Sequence, residues 1–456
     1  MQAFAEAFSV SDPLYELNLF SIGKKENPFR FFFVGSGGAQ DLVLYRDLIN
    51  TFELNRLNFL KQAGLLFLIF PSATHTRFAH SLGTLTLGTY AIEHIWVKGG
   101  RTSTPVKLEE FLGKSGLIEE FLLALLLHDI GHLPFSHYLE TNKSVCETFT
   151  SHEKISLRLL DSTDPLHAEL AKRAQAAGAQ TVVDVCKADT NIQMDKIIGL
   201  LDETGSNTNP VAQLVCGPLD LDRLDHYNRD SYFMGLKLSN INVRGFLGSI
   251  VLDMHDRQLK LRPEGVQHVL NLLFSKEMLW QRALDTEYSR AYEAMFNSVM
   301  DKWLDNARLM DLPFLKEEEL LGELFSHPRA APLLNRIFSR RPYPQVLAQK
   351  SSLSAAEISA RYTEWCKIHA SDPDDFILFL PKGFGTQSDQ SGWLSEHIQL
   401  LSESGVSEPK RCLRDLHGDL FDYFRKQHQG RLETLRIFAR SQELADSCRK
   451  AAGEFF

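Results

Sequence analysis

The sequence predicts a mainly α-helical protein: a helical bundle with small β-hairpins and a mixed α/β C-terminal extension. Three observations carry this. Leu117 to Asp129 is a thirteen-residue run, apolar nearly all round after Glu120, the pattern of a helix buried at the centre of a bundle. Helical periodicity begins at Leu48 and returns through residues 153–215 and 263–305. Strand signals are confined to short pairs.

Taken in order, Phe29-Arg-Phe-Phe-Phe-Val34 and Leu42-Val-Leu-Tyr45 read as two short strands around the turn Gly35-Ser-Gly-Gly38. That turn lacks a following Lys-Ser/Thr and is no phosphate loop. Leu48, Phe52, Leu57 and Leu60 then take helical spacing, with Gly64 as the helix end. Pro71-Ser72 opens a long helix to about Lys98, closed by Gly99-Gly100. The buried helix at 117–129 ends because Gly131 and Pro134 break it. Gly217-Pro218 starts another helix, proline suiting the first turn. Ile250–Asp253 and Gln258–Leu261 form a hairpin, and residues 263–305 are helical. Beyond them lie loops at 325–345 and 381–392, a strand at Phe376–Leu380 and the capping box Ser354-x-x-Glu357. The segments are a β-rich 1–47, a helical core at 48–305 and a helical, mixed region at 306–456.

Composition narrows the function class. Hydrophobic residues make up 44% and charged residues 23%, ordinary globular values over 456 residues. A net charge of −9 disfavours a general polyanion-coating role. The longest apolar run, Ala63 to Phe70, stops at Pro71 and is far too short for a membrane span. No basic segment precedes an apolar stretch at the N-terminus, as a signal peptide requires. The six cysteines are scattered without a CxxC, which points to a reducing, cytoplasmic location and away from a thiolate zinc site.

Histidine carries the chemistry. Seven of the sixteen (75, 80, 94, 128, 132, 137, 152) fall within 78 residues, where an even spread puts about three. His128-Asp129 ends the apolar helix, and a buried ionised aspartate is expensive unless it is paired or bound to a cation. An isolated His-Asp pair is most often a cap or a satisfied core histidine. This pair is not isolated. Arg77 and His80 share a helix face at i,i+3, and Asp220-Leu-Asp222-Arg223-Leu-Asp225-His226 stacks three carboxylates with a basic pair. Two imidazoles with two carboxylates suit Mn²⁺, Fe²⁺, Mg²⁺ or Zn²⁺ and leave positions open for water and substrate.

The pattern H…HD…D resembles the HD-domain metal phosphohydrolases, and its flanks resemble the deoxynucleoside triphosphate triphosphohydrolase branch. The matching stretches are Leu48–Gly64, His75-Thr-Arg-Phe-Ala-His-Ser-Leu-Gly83, Leu127-His-Asp-Ile-Gly-His-Leu-Pro-Phe-Ser-His137, Ser151-His152-Glu153 and Leu219-Asp-Leu-Asp222 through Gly235. They cover about residues 40–300 and place the phosphohydrolase core at 48–305. The Gly-Tyr-Pro signature of the cyclic-dinucleotide branch is absent.

The resemblance implies His80, His128, Asp129 and Asp222 as ligands of one divalent metal ion, with room for a second held weakly with substrate. It implies Arg77, His132, Arg223 and His226 as contacts to triphosphate oxygens, Arg223 standing where lysine is common and His226 where tyrosine is. His137 matches the histidine that acts at the α-phosphorus, supported by Glu140 (an expected aspartate), His152 and Glu153. Gln62 is retained at the base-and-sugar segment, Asp230 near the 3′-hydroxyl, and Lys276 near an expected arginine. The implied partners are a nucleotide substrate and further copies of the chain, with no membrane.

The departures open alternatives. Ala63 stands for a leucine, and Trp280 and Leu284 stand for the histidine and tyrosine of the sugar wall. Asn50, Asn55 and Asn58 replace the charged activator positions of the animal enzyme. A changed substrate (a ribonucleotide, a mono- or diphosphate, a modified nucleotide) is one alternative. A nucleotide- or nucleic-acid-binding regulator with little turnover is another. The acid-free stretch with Arg329, Arg336, Arg340, Arg341 and Lys350 reads as a solvated loop or as a contact to nucleotide or single-stranded nucleic acid.

Overall fold

The apolar run at 117–129 becomes the central helix of the bundle in the computed structural model. The structure describes residues 7–12, 17–22, 45–100, 103–188, 192–206, 209–238, 241–384, 397–401 and 412–456. The helices that build the site are α1 (Arg77–His94), α2 (Ile118–Leu127), α3 (His152–Leu160), α4 (Leu221–Phe233), α5 (Val266–Leu279) and α6 (Glu287–Trp303). Those of the C-terminal part are α7 (Ala355–His369), α8 (Leu413–Leu432) and α9 (Gln442–Phe455). Phe121 through Leu127 are all buried, each large side chain worth roughly 2 kcal/mol by removal from water.

Close helix packing depends on glycine at two places. A Cβ on Gly83 of α1 would collide with the Asp225 carboxylate and the Arg229 guanidinium of α4. A Cβ on Gly131 would collide with the backbone of His152 and Ser156 at the start of α3. Both glycines let backbone approach where the histidines gather.

The strands are β1 (Ala7–Asp12), β2 (Leu17–Ile22), β3 (Trp96–Lys98), β4 (Val106–Lys107), β5 (Ile250–Asp253), β6 (Gln258–Leu261), β7 (Gln345–Lys350), β8 (Phe376–Phe379), β9 (Gln399–Leu400) and β10 (Thr434–Ala439). β1 and β2 form an antiparallel hairpin. A five-stranded sheet runs β4-β3-β5-β6-β9, and a three-stranded sheet runs β7-β10-β8 with β10 antiparallel to both neighbours. Val346, Ile358, Trp365, Phe376, Leu435, Ile437 and Ala445 form a separate core between that second sheet, α7 and α9. The main core runs through Trp303, Phe314, Leu334 and Phe438, so the bundle and the α/β unit pack against each other.

Several expected elements differ. The strand pair at 29–34 and 42–45 lies outside the described residues except for Tyr45, which opens the helix Tyr45–Ile49. The helix expected from Leu48 to Gly64 is broken at Thr51, whose Oγ1 donates to the Leu48 carbonyl at 2.6 Å. Its second half is the short helix Phe52–Leu57, and Gly64 (φ +52°) opens a 3₁₀ turn, Gly64–Leu68, rather than ending a helix. α1 starts at Arg77, not Pro71, because the backbone amide of Gln62 donates to His75 O (3.0 Å) and holds the preceding segment extended. It stops at His94, where β3 begins. α4 starts at Leu221 rather than at Pro218. The loop expected at 325–345 contains the helix Ala331–Phe338, whose Leu333, Leu334 and Ile337 are buried. The hairpin at 250–261, the strand at 376 and the Ser354–Glu357 capping box form as expected.

Candidate active site

Three helix ends deliver the first cluster. Thr76 caps α1 by accepting from the Ala79 amide (3.2 Å), which places His80 in the first turn. α2 ends at Leu127, and His128 turns back so that its Nδ1 donates to Leu125 O at 2.8 Å. Asp220 caps α4 by accepting from Arg223 N at 2.8 Å, which places Asp222 in its first turn. The Nε2 atoms of His80 and His128 then lie 3.2 Å apart. Asp222 Oδ1 is 2.9 Å from His80 Nε2 and 3.6 Å from His128 Nε2. Asp129 Oδ1 is 3.2 Å from His128 Nε2, and its Oδ2 is 3.7 Å from His80 Nε2. Spacings of about 3 to 3.5 Å are what metal–ligand bonds of ~2.1 Å produce at octahedral or tetrahedral angles. The donor set therefore fits a divalent ion.

The outer contacts fix the donors. His80 Nδ1 donates to Asp225 Oδ2 at 2.6 Å, and Asp225 is gripped by Arg229 through Nε and Nη2 at 2.8 and 2.9 Å. With both Nδ1 protons committed outward, Nε2 is the nitrogen each ring has left for an ion once it gives up its own proton. Burial opposes charge on Asp129, yet His128, Arg77 and His132 hold its carboxyl well below the usual range. Burial likewise opposes charge on Asp222, and hydrogen bonds from His128 and His80 overcome it. Arg77 is itself buried: it donates to Asp129 Oδ2 (2.8 Å), Ser136 Oγ (2.9 Å) and Gln62 O (3.3 Å).

A second cluster centres on Glu140. Its Oε1 accepts from His152 Nδ1 at 2.7 Å, and its Oε2 lies 3.2 Å from His137 Nδ1. His152 Nε2 is 3.2 Å from Glu153 Oε1. The His132 and His152 rings stack at 3.7 Å, and His132 Nε2 reaches Asp129 Oδ1 at 3.3 Å, which joins the two clusters. Burial pushes His152 down, but Glu153 and Glu140 outweigh it and raise the imidazole to about 9. Burial and the nearby Arg77 hold His132 well below its usual value and keep it neutral.

The Glu140-centred cluster, with Asp129 and Asp222 of the first cluster, lines one cavity of about 440 Å³. Gln62, Ala63, Arg223, His226, Asp230, Lys276, Trp280 and Leu284 share its walls, so the expected substrate-facing residues come together there. Gln62 Nε2 donates to His226 Nδ1 (3.2 Å); His226 Nε2 faces Asp230 Oδ2 (3.5 Å), and Asp230 Oδ1 pairs with His75 Nε2 at 2.7 Å. Trp280 opens a π-helical turn, Trp280–Leu284, with the Arg290 and Arg431 guanidiniums 5.5 and 5.2 Å from its ring centre. Asn50, Asn55 and Asn58 are exposed.

The sequence reading assigned no role to Asp225, Arg229, Ser136, Tyr138, Arg290, Lys382, His428 or Arg431. Asp225 and Arg229 stand at i,i+4 in α4, a spacing that could have flagged them. Lys382 arrives from the turn after β8, and His428 and Arg431 from α8, and no local pattern announces them.

Residues 77–194 match the HD domain family, so the chain carries an HD domain. An uncharacterized protein of Methanocaldococcus jannaschii is 28% identical over 66% of this chain and 55% of its own length. An uncharacterized Bacillus subtilis protein is 26% identical over 89% of this chain and 83% of its own. The deoxynucleoside triphosphate triphosphohydrolase SAMHD1 homolog of Dictyostelium discoideum is 27% identical over 41% of this chain and 33% of its own. The chain thus spans about half the length of the archaeal relative and a third of the Dictyostelium one. Two crystal structures share the fold at TM-score 0.61: a hypothetical protein from Aquifex aeolicus (21% identity, 98% of this chain and 100% of that one) and a phosphohydrolase from Bacteroides thetaiotaomicron (19%, 95% and 100%). No helix among the described residues is long and apolar enough to cross a membrane.

Proposed function

We propose that this chain is a divalent-metal-dependent phosphohydrolase that converts (deoxy)nucleoside triphosphates to nucleoside and triphosphate. The observation that carries the reading is the junction, through Asp129 and His132, of a His-His-Asp-Asp cluster with the Glu140-centred histidines beside one cavity. His80, His128, Asp129 and Asp222 hold the ion, which when bound supplies Lewis-acid polarisation of phosphate oxygens and a water of lowered pKa. Arg223, His226 and Lys276 present cationic and N–H groups to the triphosphate. Water oxygen bonds to the α-phosphorus as the bond from phosphorus to the 5′-oxygen breaks, and His137, tethered to Glu140, gives the leaving oxygen its proton. The similarity to the Dictyostelium enzyme supports the substrate class. The family resemblance of the sequence favours a homo-oligomeric working form, and light scattering above the mass of one chain reads this directly.

Ala63 and Leu284 on the cavity wall favour a second reading, in which the sugar is selected weakly or the nucleotide is bulkier. Incubating the protein with Mn²⁺ and, separately, dNTPs, NTPs and single-stranded DNA, with products resolved by chromatography, tests both. Equal amounts of nucleoside and triphosphate support the proposal. Nucleoside diphosphate with phosphate, or no turnover on any nucleotide, refutes it.

A further inference from the structure

Lys382 lies 242 positions from Glu140 in sequence, yet its Nζ is 3.1 Å from Glu140 Oε2. It sits on the turn after β8, closed by the Phe384 amide donating to Pro381 O at 3.0 Å. Phe384 and Phe376 anchor that turn in the core of the α/β unit, and β8 pairs with the central strand β10. The ammonium is therefore delivered by a fixed element rather than by a free surface chain. Burial lowers its proton affinity, but Glu140 outweighs the burial and keeps it charged.

Glu140 Oε2 is also the oxygen that faces His137 Nδ1, and Oε1 is taken by His152. The terminal torsion of a glutamate is soft, and Oε1 has a 2.7 Å bond from His152 while Oε2 has only a 3.2 Å contact to the half-exposed His137 imidazole. A third, charged donor on Oε2 restrains it. His137 is half exposed and tethered through Nδ1 to this carboxylate, so what fixes Glu140 also fixes the aim of His137.

We propose that Lys382 is a positioning residue of this site, acting through Glu140, so that the C-terminal α/β unit is part of the machinery that aims His137. The proposal rests on the phosphohydrolase reading above. A lysine that instead gripped substrate phosphate would act on binding and independently of Glu140, and a double-mutant cycle separates the two.

The test compares full-length wild type with Lys382→Met, Lys382→Arg, Glu140→Gln and the Lys382→Met/Glu140→Gln double variant, with metal content and thermal midpoint as controls. Lys382→Met should lose roughly tenfold to a hundredfold in kcat, part of the ~10²–10⁴ that acid–base chemistry supplies. Its KM should stay within about threefold and its metal be retained. Lys382→Arg should recover most of the rate. In the Glu140→Gln background, Lys382→Met should cost less than about twofold. Losses that multiply in the double variant, a raised KM at unchanged kcat, or an undiminished Lys382→Met overturn the proposal. An undiminished Glu140→Gln removes the relay itself, a result distinguishable from failure of Lys382 alone.

Discussion

His80 and Asp225 are joined by a 2.6 Å hydrogen bond from Nδ1 to Oδ2, on the ring nitrogen opposite the one that faces Asp222 and Asp129. The aspartate works at one remove. It sets the tautomer of His80 and thereby turns Nε2 toward Asp129 and Asp222, while Arg229 neutralises it on the far side.

Asp225→Asn should therefore weaken metal binding by about tenfold to a hundredfold while leaving all four ligands in place. Equilibrium dialysis against Mn²⁺ measures this. Asp225→Ala should in addition lose about 3 to 5 kcal/mol of stability, because the buried Arg229 guanidinium loses the carboxylate it grips. Wild-type metal affinity in Asp225→Asn contradicts the assignment of Asp225 as the orienting group.

Lys276 supplies a pH prediction. Burial, with Arg223 and Arg431 nearby, lowers its ammonium to about 7. It is a cation below that pH and neutral above it, so attraction for an anionic substrate is lost as pH rises through about 7. The ratio kcat/KM, which reports the free enzyme, should fall on that limb by roughly tenfold, the value of one charge-assisted hydrogen bond. Lys276→Arg keeps its charge and should flatten the limb. An identical limb in Lys276→Arg assigns the titration elsewhere.

Glu53 supplies a stability prediction away from the chemistry. Burial raises its carboxyl from 4.5 to about 7, and its Oε2 has no partner while Oε1 accepts from the Val182 amide at 3.0 Å. The folded state binds this proton more tightly than the unfolded chain. The stabilisation is thus complete below about 4.5 and is lost as pH rises through about 7, a span of about 3 kcal/mol. Glu53→Gln keeps the acceptor for Val182 and should be insensitive across that window. Parallel thermal melts at pH 5 and pH 8 decide it: equal pH dependence in the two proteins is the contrary result.

The sugar wall is tested by restoring bulk. Ala63→Leu should raise the deoxy-over-ribo ratio of kcat/KM by about tenfold, because an apolar wall rejects an added hydroxyl only weakly. A wild-type ratio already above about a thousandfold shows that the site excludes ribose by other means.

What could be read from the sequence follows the range of the forces involved. Helix α2 was legible because its burial is written in an unbroken apolar run, and the 250–261 hairpin because alternation and turn lie within a dozen residues. The four proposed ligands were legible only as a pattern of residue types at a familiar spacing; their convergence depends on Gly83 and Gly131 letting helices approach. The stretch 48–64 misled because its leucines keep helical period while Arg56 is pulled inward. Its Nη2 donates to Ile130 O (2.9 Å) and His132 O (2.6 Å), so the chain wraps the site in short turns. Lys382, His428 and Arg431 were invisible because tertiary packing alone brings the turn after β8 and the helix α8 to the cavity.

Whether His80, His128, Asp129 and Asp222 hold a catalytic ion is decided by elemental analysis of wild type and Asp129→Ala purified side by side. Wild type should carry a bound divalent ion and the variant should lose it, since removing one of four proposed ligands also leaves Arg77 buried without its carboxylate. Undiminished metal in Asp129→Ala would contradict it.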